Sequence, residues 1–196
     1  MKKLCGLLML LSFVAVNLSA QQGEKINPNV KEIIFVFKTH FDNGYTDMAE
    51  SVINKYSTTM MEQALATLEK SRSLPREKQF VWTMPSWPLT KILERCTPEM
   101  KPKIEAAIRE GWFVYHGLPF TLETEAGDPE ALVRALTFSA DLRRRVHLPS
   151  PRDAKMNDVP AHARFSPPPL SNAGIRILPS GCNVASGSPS VTLLFW

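Results

Sequence analysis

The chain has 196 residues, 44% hydrophobic and 21% charged, the composition of a globular protein. Its length suits one ordinary domain or a piece of a larger one. With 23 basic and 19 acidic side chains the net charge is only +4, so no polyanionic partner is implied and nucleic acid is not expected.

The N-terminus, "MKKLCGLLMLLSFVAVNLSAQQ", places Lys2 and Lys3 before an apolar stretch that ends in Ser19-Ala20. That is the order of a signal peptide, here residues 1–20. The stretch ends too soon for a membrane span of about 20 residues. Export to a periplasmic or extracellular location is expected, with no stable membrane insertion after cleavage. Residues 21–30 read as a polar leader, and the folded region as 31–196. Cys96 and Cys182 remain after cleavage, and two cysteines make no disulfide framework.

Ile33 to Phe37 is a continuous β-branched and aromatic run that fits a strand buried on both faces. "FDNGYTD" is turn chemistry. Met48, Val52, Tyr56, Met60, Ala64 and Leu68 recur every four residues and predict one long helix from about Asp47 to Leu68. "FVWT", Phe80 to Thr83, is a second strand, followed by a turn and a short helix in "MPSWPLTKILERC". Thr97-Pro98-Glu99 opens a helix that stops at Gly111. "WFVYHG" is a third strand, and "LPFTLETEAG" a loop. Asp128-Pro129-Glu130 opens a further helix that turns Leu132, Val133, Leu136 and Ala140 inward and ends near Val146. The basic run Arg143, Arg144 and Arg145 complements its dipole. "AKMNDV" is a fourth strand. "PAHARFSPPPLSNAG" leads into a helix interrupted by Pro167, Pro168 and Pro169, and "IRILPSG" is a fifth strand. The last ten residues form no clear element.

Strands alternating with helices predict an α/β fold with a parallel sheet and covering helices. An open doubly wound sheet and an incomplete (β/α) barrel both fit. Neither G-x-G-x-x-G nor G-x-x-x-x-G-K appears, so nucleotide binding has no support.

Strand ends in such folds are where ligands bind. His40 and Asp42 follow the first strand, two residues apart and so directed to one side of an extended chain. They either cap a turn and pack, or hold a metal; zinc takes this mixture of nitrogen and oxygen donors. Asp158 ends the fourth strand, where it is either a cap or a third donor converging on the same ion. His162 follows a turn later. Glu123 and Glu125 are loop acids that are either solvated or touch a polar substrate. Trp82, Trp87 and Trp112 are either buried or stack on a sugar face.

"THFDNGYTD" together with "KMNDVPAHARF" resembles glycoside hydrolase family 38, the zinc-dependent α-mannosidases. The likeness is closer to secreted bacterial proteins of that superfamily with a domain of unassigned function. "WFVYHGLPFTLETEAGDPEALVRAL" and "LSNAGIRILPSGCNVASGSP" share it. The resemblance implies the N-terminal part of a seven-stranded (β/α) barrel. It makes His40, Asp42 and Asp158 zinc ligands and Asp158 also the catalytic nucleophile of a retaining hydrolase acting on α-mannosides or related glycans. Trp82, Glu123 and His162 are the accompanying substrate-binding candidates.

The sequence departs from that family in several places. The family's fourth zinc ligand, a His, and its acid/base carboxylate lie well downstream of the second motif, so a truncated and poorly active fragment is expected. Lys38 stands where a His often precedes the first motif, and Ala161 where Gly is usual. The three prolines are expected to break a helix at about 3 kcal/mol or more for each interior one. A zinc-dependent carbohydrate deacetylase, or a non-catalytic carbohydrate-binding or vestigial protein, are the alternatives.

Overall fold

The computed structural model describes residues 29, 31–32, 36–159 and 162–182. The chain divides into two compact units between Phe35 and Val36, and the second carries every element named below. The expected signal peptide, nearly all of the leader, Ile33 to Phe35 of the first expected strand, Ala161 and the last ten residues lie outside the described residues.

The fold is mixed helix and parallel strand. Strand β1 (Trp82–Met84) lies parallel to β2 (Phe113–Tyr115), with Trp82 opposite Phe113 and Met84 opposite Tyr115. Strand β3 (Met156–Val159) lies parallel to β4 (Ser180–Cys182), with Met156 opposite Ser180. Isolated parallel bridges add Lys38 beside Thr83 and Asp153 beside Ile177. Between the two pairs, the Gly117 amide donates to the Asp153 carbonyl at 2.8 Å.

Parallel neighbours need crossover connections, and helices supply them. Helices α1 (Ala49–Lys55) and α2 (Met61–Ser71) precede β1 and are joined by a π-helical segment, Tyr56–Met60. Between β1 and β2 run α3 (Ser86–Arg95) and α4 (Met100–Arg109). Between β2 and β3 run α5 (Pro129–Arg134) and α6 (Thr137–Val146), and α7 (Pro167–Asn172) connects β3 to β4. The start signal at Asp128 acts as expected, whereas the helix after Thr97 begins only at Met100, with Pro98 ahead of it. Asp128 accepts the Ala131 amide at 2.8 Å, and the Thr97 carbonyl accepts the amides of Met100 and Lys101, both at 3.1 Å. Gly111 closes α4 with φ 74°, a conformation that costs glycine nothing.

Two apolar clusters form the core. The larger gathers Met61, Leu89, Ile92, Ile104, Ile108 and Phe113; the smaller gathers Leu118, Leu132, Ala154, Met156, Leu170 and Ile175. Each fully buried aliphatic or aromatic side chain contributes about 1.5–3 kcal/mol.

The structure corrects four expectations. Val36 and Phe37 are 60% and 58% exposed, so this end of the first expected strand is not buried on both faces. The single helix over 47–68 is two helices and a π segment. A strict four-residue repeat gains about 40° per step on an α-helix, and the extra residue in a π turn takes some of that back. Val52, Tyr56, Ala64 and Leu68 are thereby buried, while Met48 is 76% exposed. The helix expected after Asp128 splits at Ala135-Leu136 because its halves serve different clusters: Leu132 belongs to the smaller, Leu142 and Val146 to the larger. Finally, the three prolines begin α7 rather than break it. In the first turn no amide is needed, and proline's fixed φ suits the helix.

Candidate metal centre

The motif "KTHFD" is held in place by its odd-numbered residues. Thr39 Oγ1 accepts the Trp82 indole N–H at 2.7 Å. Phe41 is 7% exposed and packs edge-on against Tyr56 and Trp87, at centroid separations of 5.2 and 5.8 Å. The Tyr56 hydroxyl, presented from the π segment, donates to the His40 carbonyl at 2.8 Å. With the alternate positions fixed in this way, Lys38, His40 and Asp42 are left on the other side of the extended backbone.

Asp158 meets them from β3. Asn157 stands opposite Gly181 and Val159 opposite Cys182, so Asp158 is skipped in the ladder. Its φ is 65°, a left-handed conformation that a non-glycine residue adopts at a cost. Bulges of this kind turn a side chain away from its regular direction. Here Asp158 Oδ2 lies 3.1 Å from His40 Nε2, and Asp42 Oδ1 lies 2.8 Å from the same nitrogen. The three expected donors therefore come together, from two segments more than a hundred residues apart. Ionised carboxylates only accept hydrogen bonds, so the imidazole proton in this arrangement belongs on Nε2.

Among the described residues, no group of three or more His, Cys, Asp or Glu side chains is spread so as to hold a metal ion. His40 and Asp42 are hydrogen-bonded, and Asp158 stands at ion-pair distance from the same nitrogen. Ligands about 2.0 Å from a tetrahedral zinc stand about 3.3 Å apart, so the observed separations of 2.8 and 3.1 Å are a few tenths of an ångström too close. The donor chemistry fits zinc, while the observed spacing is that of side chains in direct contact. Each of the three side chains is at least a quarter exposed.

The surroundings are polar and asymmetric. On one side a cavity of about 410 Å³ is lined by His40, Asp42, Asp47, Lys55, Tyr56 and Met60. On the other, the Lys38 ammonium donates to Asn157 Oδ1 at 2.7 Å. Burial, then repulsion from Lys155, holds the Lys38 amine below its usual value, and Asp158 works against this. His116 is 4% exposed. Burial, with Lys155 and Lys38 adding to it, pushes its pKa down to about 4.

Trp82 is a core residue, 5% exposed and edge-on to Phe113 at 5.6 Å, so its ring faces protein and not a sugar. Trp112 is covered by the Arg76 guanidinium, 3.3 Å from its ring centre. Glu123 is exposed. His162 is half-buried with both ring nitrogens lacking a hydrogen-bond partner; burial lowers its pKa, opposed by Glu123 and Glu125. Among the described residues, none of Trp82, Glu123 and His162 bonds to the triad. Cys96 is a free thiol. Two residues of the site had no distinct sequence signature: Tyr56, one of a helix stripe, and Lys155. The one trace of Lys155 is alternation: Ala154 and Met156 are buried, leaving Lys155 and Asn157 on the opposite face.

No protein-family model matches the chain, and no curated protein matches it.

Proposed function

We propose that the chain carries the zinc site and nucleophile of a retaining glycoside hydrolase of α-mannosidase type, exported, directed to α-mannosides or related glycans and poorly active by itself. The observation that carries this reading is the meeting of Asp42 and Asp158 on one atom, His40 Nε2, at 2.8 and 3.1 Å. Positioning Asp158 takes a ladder bulge and a φ of 65°, and backbone strain of this kind concentrates at functional sites.

The strand neighbours also support the barrel. Lys38 lies beside Thr83, β1 beside β2, Gly117 bonds to Asp153, and β3 lies beside β4. Spatial order thus follows chain order. A doubly wound sheet reverses its order at a switch point, whereas a (β/α) barrel does not.

In this reading His40, Asp42 and Asp158 hold the zinc. When bound, the ion acts as a Lewis acid toward sugar hydroxyls. Asp158 Oδ2 faces the imidazole, which leaves Oδ1 to attack the anomeric carbon. The side chain is 43% exposed and contacts His40, which lines the 410 Å³ cavity. A retaining mechanism needs a second carboxyl group about 5–5.5 Å from the nucleophile. Asp42 is taken up by His40 and is not that acid.

The test is covalent trapping. A 5-fluoro-mannosyl fluoride carries a leaving group that needs no acid catalyst, so it probes the nucleophile alone. Incubated with the zinc-supplemented chain, it is expected to add one sugar to the peptide containing Asp158, read by mass spectrometry. No adduct on that peptide overturns the reading; release of acetate from an acetylated glycan in its place would point to a deacetylase.

A further inference from the structure

A second, smaller cavity adjoins the triad. Its lining includes Lys38, Lys155, His116, Asn157, Thr83 and Thr121, and its volume is about 10 Å³. That is room for one oxygen-sized group. Thr39 and His40 line this cavity and the 410 Å³ one alike, so a ligand at the triad borders both.

Its chemistry is one-sided. Two ammonium groups line it, and neither Asp42 nor Asp158 does. Lys38 is partly satisfied by Asn157. Lys155 makes no hydrogen bond or ion pair among the described residues, and Asp153 acts on it only at longer range. His116, nineteen-twentieths buried or more, has an Nδ1 with no hydrogen-bond partner. Half-buried cations are costly features, and an incoming anionic oxygen would relieve them. The size selects among anions: a flat carboxylate can insert one oxygen, while a tetrahedral sulfate or phosphate ester brings three.

We propose that this cavity is a subsite for a sugar carboxylate, so that the ring bound at the triad belongs to a uronate-bearing glycan. This rests on the reading that a glycoside binds at the triad. Lys155 is the principal cation, with Lys38, His116 and Thr121 completing the pocket.

The experiment titrates the full chain, in the presence of zinc, with methyl α-mannopyranosiduronate and with neutral methyl α-mannopyranoside, followed by calorimetry. A hydrogen bond to a charged group is worth about 1.5–3 kcal/mol, or roughly 10- to 100-fold in affinity. The uronate is therefore expected to bind at least tenfold tighter than the neutral sugar. In Lys155→Met that preference should vanish, and Lys155→Arg should retain it. The unfolding midpoints of both variants show that they fold. Equal affinities in the parent chain, or a preference that survives Lys155→Met, overturn the subsite and leave the glycoside reading standing. Binding of neither sugar overturns both.

Discussion

Asp158→Ala and Asp158→Gly remove the same carboxylate, and with it the same contact to His40 at 3.1 Å. The difference between the two variants isolates the backbone. At an ordinary strand position glycine is less stable than alanine by about 0.5–1 kcal/mol, because it has more freedom to lose. At Asp158 φ is 65°, where an L-residue with a Cβ is penalised by about 1–2 kcal/mol. The second effect is the larger. Asp158→Gly is expected to be more stable than Asp158→Ala by about 1 kcal/mol, a midpoint difference of roughly 2–4 °C at this size. Urea unfolding of both variants, compared at matched slopes, measures it. An alanine variant as stable as the glycine variant, or more so, would refute the claim that strain is held at this residue to aim its side chain.

Gly117→Ala should destabilise the fold by about 1–3 kcal/mol, since a Cβ there would meet Ile175 Cδ1 at 2.9 Å and the Asp153 carbonyl at 3.1 Å; an unchanged unfolding midpoint contradicts this. Tyr56→Phe removes the 2.8 Å bond to the His40 carbonyl. It should cost about 1 kcal/mol of stability and, because groups that orient a ligand matter to the metal, about tenfold in zinc affinity, measured by competition with a chelating dye. His116 titrates at about 4 when folded against an ordinary 6.5. The unfolded chain therefore binds the extra proton between these values, and stability falls as pH drops from above 6.5 toward 4, by about 3 kcal/mol at most. Asp153, whose carboxyl burial raises, works in the opposite direction as pH falls. Denaturant midpoints across pH 4–7.5 should show a weaker dependence in His116→Gln, and parallel curves for the two proteins would count against a buried neutral His116.

The legibility of the sequence varied with how local its signals were. The alternation of strands and helices follows from short stretches such as "FVWT", whose strand is shifted to Trp82–Met84, and from start signals such as Asp128-Pro129, which opens its helix. The meeting of His40, Asp42 and Asp158 was legible because parallel strands place their ends on one side of a sheet. The means were not. Nothing in "KMNDVP" announces that Asp158 is skipped in the ladder, because a bulge depends on the facing strand. The split between α5 and α6 depends likewise on which cluster each half covers, a tertiary matter that overrides the continuous pattern of Leu132, Val133, Leu136 and Ala140. The π segment left a trace in the strict four-residue spacing, which fits an ideal α-helix poorly. Trp82 was ambiguous in sequence, since a large aromatic suits a core and a sugar platform equally, and only its contact with Phe113 decides the matter.

Zinc bound per chain at equilibrium, in the parent protein and in His40→Ala, Asp42→Ala and Asp158→Ala, is the most direct measurement. If one nitrogen and two carboxylate oxygens grip a single ion, dialysis against buffered zinc gives one ion per parent chain and at least tenfold weaker binding in every single variant. Zinc that fails to bind the parent chain, or that binds all three variants as tightly, would contradict it.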